Sequence, residues 1–180
     1  QCGLLKSKEL YKKLLNINKN INPNNQDAAK LITTIKLLSG MDYSFQNKEA
    51  FYSEIVDIAN NYKNSQSQHD LSIDYGNLAF YSFFVKKFNN ALDYAIKGLE
   101  LDSTNDYIYT NLALGYLFTN KFDKAEEIYN GFKDKARTDN QIPFKESFLK
   151  DFNDLETNGI ITREDSVIYE EVEKIRNVIL

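Results

Sequence analysis

Apolar residues recur along this chain at intervals of three and four with polar residues between them, the spacing of one face of a helix. The first stripe is Leu10, Leu14 and Ile17 within residues 4 to 19, with Lys6, Lys8, Lys12 and Lys13 mostly outside it. The Asn-rich stretch from Asn16 to Asn25 contains Pro23 and reads as a turn. A second helix is expected from about Asp27, a good N-cap, through Ala28, Leu31, Ile32, Ile35 and Leu38 to a stop at Gly40. A third covers Asn47 to Tyr62, with Phe51, Ile55, Ile58 and Tyr62 on one side. Lys63 to Asp70 has no apolar residue and reads as an exposed loop carrying His69, the single histidine.

Two helical hairpins follow, 71 to 86 with 89 to 102, then 106 to 119 with 122 to 135. Ser103, Thr104, Asn105 and Asp106 offer capping side chains between them. Arg137 to Pro143 is a polar connector, and Pro143 suits the entry to a helix. That helix puts Phe144, Phe148, Phe152 and Leu155 on one face and stops at Gly159. The last helix is expected from Thr162, paired with Asp165 in a capping box, with the stripe Ile168, Val172, Ile175 and Ile179. The chain reads as all-α, with eight to nine antiparallel helices and no strand.

Within residues 73 to 135 one pattern occurs twice. Tyr75, Leu78, Ala79, Phe88 and Ala91 match Tyr109, Leu112, Ala113, Phe122 and Ala125, each pair 34 residues apart. A fixed period of this size marks stacked helix pairs. The two hairpins resemble the tetratricopeptide repeat (TPR), as found in bacterial helical-repeat proteins. Tyr116 matches a further aromatic of helix A, and Ser82 departs from it. Residues 91 to 102 are close to the family's helix B, with Ser103 in place of the closing proline. The resemblance covers about a third of the chain. It implies a right-handed α–α superhelix, one TPR-like domain over 1–180. Its parts are a degenerate helical pair at 26–62, repeats at 71–102 and 105–135, and C-terminal capping helices at 143–180. Gly98 closes the inner face of the first helix B, whereas Phe132 stands 34 residues later, so the unit after residue 135 is expected to pack differently, as a cap. Leu112 and Phe122 are expected in the core.

In this family peptides bind a concave surface made by the A helices. The resemblance therefore implies two rows as the site: Ile73, Asn77, Phe80 and Phe84, then Tyr107, Asn111, Leu114 and Phe118. Spacings of four, three and four keep each row on one helix face. The 34-residue offset sets Asn77 beside Asn111 as an amide ladder that suits a peptide backbone. These rows are very apolar for an open groove, so a second reading stands beside the first. In it the first or penultimate helix fills the groove, and the molecule is a structural module docking through its outer surface. The family's carboxylate clamp needs Lys and Arg, which these rows lack.

Composition narrows the function. Only 7 Gly and 2 Pro interrupt 180 residues, so long helices are allowed, and a chain this long needs no metal or disulfide to hold a core. A net charge of −4, with the lysines and arginines dispersed, offers no basic face for nucleic acid or for a membrane surface. No apolar run reaches the roughly 20 residues of a membrane span. Gln1 in first position is read as a processed start after a signal-peptidase site, with periplasmic or secreted localisation preferred over cytoplasmic, or as the edge of an excised fragment. Cys2, the single cysteine, is a terminal free thiol, an intermolecular disulfide or a lipid anchor. His69 alone makes no metal site, and no phosphate loop, nucleophile elbow or metal-spaced ligand set is present. The expectation is a non-catalytic scaffold for protein–protein contact, with no cofactor.

Overall fold

The computed structural model describes residues 25–42 and 44–180. The helix expected over residues 4 to 19, most of the Asn-rich turn, Gln1 and Cys2 lie outside the described residues. Eight helices are described: α1 Asn25–Met41, α2 Phe45–Asn61, α3 Gln68–Phe84, α4 Phe88–Leu101, α5 Ile108–Phe118, α6 Phe122–Phe132, α7 Phe144–Thr157 and α8 Ser166–Ile179. Among the described residues there is no strand, only an isolated bridge between Ala136 and Pro143. No described helix is long and apolar enough to cross a membrane.

Capping decides where several helices begin. Asp27 lies in the first turn of α1 rather than at its cap, where its carboxylate still faces the positive helix end. Gly40 falls inside the last turn of α1 rather than after it. The Ser67 hydroxyl accepts the Asp70 N–H at 3.0 Å. This starts α3 at Gln68 and brings His69 into its first turn, so the loop expected to reach Asp70 ends earlier. Asp165, not Thr162, caps α8 by accepting the Ile168 N–H at 3.4 Å. Pro143 stands directly before α7, as its ring favours. Gly159, at φ +66°, lets the chain turn left-handed after α7 while the Ile160 N–H reaches the Leu155 carbonyl at 2.9 Å.

From α1 to α6 each helix packs on the next, and α7 and α8 then lie against α5 and α6. The apolar stripes meet as their spacing requires. Ile32, Ile35, Phe51 and Ile55 form a core between α1 and α2. A larger one gathers Phe83, Leu117, Tyr129, Phe148, Phe152 and Val172. Leu112 and Phe122 are only half-buried, whereas Leu78, the mate of Leu112, is 1% exposed.

The two hairpins repeat each other in backbone as well as in residue type. Lys86 and Asn120 occupy the turns at φ +59° and +58°. The Lys87 N–H meets the Ser82 carbonyl and the Lys121 N–H meets the Tyr116 carbonyl, both at 2.9 Å. Ala79, Ala91, Ala113 and Ala125 are fully buried where the paired helices cross. Gly98 is held by close approach, since a Cβ there would lie 3.0 Å from Ile108 Cδ1 and 3.3 Å from the Ser72 carbonyl. The Phe132 ring instead fills the space its position leaves, stacked on Tyr109 at 4.4 Å and tilted against Phe144 at 4.9 Å.

Candidate functional site

The two predicted rows run along α3 and into α5, and the structure divides them lengthwise. At one end Phe84 is buried, stacked face to face on Phe45 at 3.8 Å. Leu114 is buried in the core that holds Phe144, Phe148 and Phe152 of α7. Phe118 is half-buried and stacks on Phe88 at 4.6 Å. This apolar end is occupied by the start of α2, by α4 and by the large core that includes the penultimate helix. It is not free surface.

The other end is open. Ile73, Asn77, Phe80, Tyr107 and Asn111 line a cavity of about 380 Å3 together with Gly76, Tyr81 and Thr110. Its far wall is Asp151 from α7 with Arg137 and Asp139 from the connector. A depression of about 730 Å3 continues past Ile73, Tyr107 and Asp139 to His69, Asp106 and Thr138. Another, of about 480 Å3, continues past Arg137 and Asp151 to Ile142, Glu146 and Lys150. The first cavity shares Ile73, Tyr107 and Asp139 with one depression and Arg137 and Asp151 with the other, so the three adjoin as a trough along the connector.

Backbone placement explains the polar lining. The connector is a tight hairpin, with the Arg137 N–H on the Ile142 carbonyl and the Phe144 N–H on the Lys135 carbonyl, both at 2.9 Å, and Gln141 at φ +61°. Asp106 Oδ2 accepts the Thr138 N–H at 2.9 Å and pins this hairpin beside α5. Arg137 is thereby laid over the Tyr107 ring, 5.5 Å from its centre, while its Nε donates to Asp139 at 3.0 Å.

Asn77 and Asn111 do not form a ladder. Asn111 is 2% exposed and its amide donates to the Gly76 carbonyl at 2.9 Å. Asn77 is half-buried and faces the cavity. Tyr107 Oη donates to the Ile73 carbonyl at 3.0 Å. Asn111 of α5 and Tyr107, the residue just before that helix, therefore bond carbonyls of α3, whose second lone pairs remain available within a helix. Gly76 makes this possible, because a Cβ there would overlap the Tyr107 hydroxyl and lie 2.9 Å from Ile108 Cγ1. Burial raises the Tyr107 hydroxyl's pKa, and nearby Asp74 adds to this, so it remains a donor.

Asp151 is the residue that the periodicity did not reveal. It is half-buried, and desolvation pushes its carboxyl up to about 7, against the opposing effects of the Thr110 hydroxyl and the Lys150 charge. Its signal in the sequence is weak: an Asp beside the Phe148, Phe152 stripe, indistinguishable from any solvated helix acid. His69 also gains a role. Its Nδ1 lies 2.7 Å from Asp102 Oδ2, at the loop closing the first hairpin. Hydrogen bonds from Thr104, then from His69, hold the Asp102 carboxyl down to about 2. Asn105 is tied to Ser72 Oγ at 2.9 Å, so these loop side chains mainly bind neighbouring elements instead of capping α5. Among the described residues, no group of three or more His, Cys, Asp or Glu side chains is placed to hold a metal ion. No family model, no curated protein and no solved structure matches the chain.

Proposed function

We propose that this chain is a non-catalytic helical-repeat module of the TPR kind, with its helix pairs coiled as a right-handed superhelix, that holds an extended segment of a partner protein. The segment lies in the trough at the polar end of the α3 and α5 rows. The observation that carries this reading is the split of those rows. The apolar end is filled by the chain itself, while Asn77, Phe80 and Tyr107 line a cavity walled by α7 and the connector. Asn77 has an amide that can both donate to and accept from a peptide backbone. Phe80 and Tyr81 supply apolar surface beside it. Contact between apolar walls and a few placed polar groups is the usual make-up of a binding cleft. The arrangement offers catalysis little, since Arg137 is engaged by Asp139 and the Thr110 hydroxyl lies 3.0 Å from the Tyr107 carbonyl.

The filled apolar end favours one feature of the alternative reading, a module that packs part of its own groove. Selection of a displayed random-peptide library against the folded chain separates the two. A peptide-holding trough enriches sequences whose binding weakens by about three- to tenfold in Asn77→Ala, the loss of one hydrogen bond. Recovery of no sequence above background would leave the structural module as the function.

A further inference from the structure

The charges around the trough are unevenly matched. Arg137 is bound by Asp139 through two of its nitrogens. Lys150, beside Asp151 in sequence, turns to Asp154 at 2.6 Å. Asp151 lines two of the three depressions with no ion pair among the described residues, and only the nearby Thr110 hydroxyl and the Lys150 and Arg137 charges favour its ionised form. In the third depression Asp106 Oδ1 is buried and without a hydrogen-bond partner. The trough therefore holds one buried carboxylate oxygen without a donor among the described residues, Asp106 Oδ1, and one partly buried carboxylate without a paired cation, Asp151. A carboxylate withdrawn from water without a cation costs stability, and such a cost is retained where a ligand offsets it.

We infer that the cavity takes a lysine or arginine side chain of the bound peptide, its cation against the Asp151 carboxylate and its stem along Phe80 and Tyr81. This rests on the peptide-holding reading above. The walls suit such a guest. Phe80 and Tyr81 present edge-packed rings 5.5 Å apart, and the Tyr107 face already carries one guanidinium, that of Arg137. The trough continues past Asp151 in one direction and towards Asp106 in the other, so the peptide's flanking residues have room on both sides.

Ionisation of Asp151 makes this binding pH-dependent. Thr110 from α5, Lys150 and Asp154 from α7, Arg137 from the connector and Tyr129 from α6 interact with it, and Tyr81, Tyr107, Asp139 and Glu146 line the same depressions. With its carboxyl near 7 in the free protein, a cationic guest binds about tenfold more weakly at pH 6 than at pH 8, following the ionised fraction.

The same peptide library provides the test, run on the folded chain and on Asp151→Asn, with thermal melts to establish that the variant folds. The expected result is one position enriched in Lys or Arg. Synthetic copies of the selected peptide should lose on the order of tenfold to a hundredfold in affinity when that residue becomes norleucine, and a similar factor on Asp151→Asn. The pH 6 to pH 8 difference should be present in the parent and flat in the variant. A flat profile in the variant also ties the pH dependence to the Asp151 carboxyl and not to another group. If Asp151→Asn does not fold, the norleucine peptide and the pH profile of the parent decide alone. Enriched peptides with no basic preference would overturn this inference and leave the trough as a peptide site. An absence of enrichment would overturn both. n-Butylamine binding as tightly as the selected peptide would assign the pocket to small cations instead of a protein segment.

Discussion

Asn77 and Asn111 stand at the same place in two hairpins whose turns and helix crossings repeat at 34 residues, yet one amide faces a cavity and the other is spent inside the fold. The cause is the order of stacking. Helix α5 leans back on α3, so Asn111 and Tyr107 reach the Gly76 and Ile73 carbonyls. Those side chains close the seam between repeats. Asn77 belongs to the earlier helix and keeps its side chain in the trough. Leu78 and Leu112 differ in the same way, one buried and one half-buried. A repeated sequence pattern therefore specifies a repeated backbone, while the role of each copy depends on which neighbour precedes it and which follows.

The comparison breaks first if the leucines behave alike. Leu78→Ala should cost about 2–5 kcal/mol in urea denaturation, and Leu112→Ala less than about half as much, because it removes less buried surface. Equal losses would mean that the second hairpin is as enclosed as the first.

Asp151 sharpens the contrast between the open and filled ends of the rows. Its folded carboxyl is raised to about 7 from an ordinary value of 3.8. Between those values the folded state holds more protons than the unfolded one, so this group's contribution to stability falls as pH rises from about 4 to about 7. Asp151→Asn should accordingly be more stable than the parent at pH 8, by on the order of 1–3 kcal/mol given its partial exposure, and equal to it near pH 4. Melting curves at the two pH values check this.

The asparagines come next. Asn111→Ala strands the arrangement against Gly76 and should cost about 1–2 kcal/mol, whereas Asn77→Ala should change stability by less than about 0.5 kcal/mol. The smallest effect is at the turns. Lys86 holds the left-handed conformation against its Cβ, while its mate Asn120 tolerates it. Lys86→Gly should gain up to about 1 kcal/mol and Asn120→Gly less, measured in the same denaturation series.

Much of the fold was legible because helix periodicity is a local property. The stripes on α1, α2, α7 and α8 are buried along the spacing that announced them: Ile35, Ile55, Phe152 and Val172 all lie in the core. The contrast between Gly98 and Phe132 has a local cause, since a Cβ at one position would crowd Ile108 and the Ser72 carbonyl while the other carries a ring stacked on Tyr109. Helix starts were less legible. Ser67 and Thr162 are equally good caps by residue type, but only Ser67 is used, and Asp165 takes the other place. The candidate site was half legible. The rows were identified through α3 and α5, but Asp151, Arg137 and Asp139 come from segments that carry no repeat signal.

By itself the sequence determined that the described residues of this chain are all-helical, that two hairpins share one turn geometry, and which faces of the helices are apolar. These follow from spacing, from small residues at crossings and from turn residues, all of which act over a few tens of positions. Only the tertiary structure decided which half of the α3 and α5 rows stays open. That depends on where the start of α2 and the whole of α7 come to rest, and their apolar stripes fit any helix face of similar width. It also decided that a carboxylate of α7 faces the aromatic lining of α3. A charge beside an apolar stripe looks the same in sequence whether it meets water or a cavity wall, and burial by distant segments is what tells the two apart.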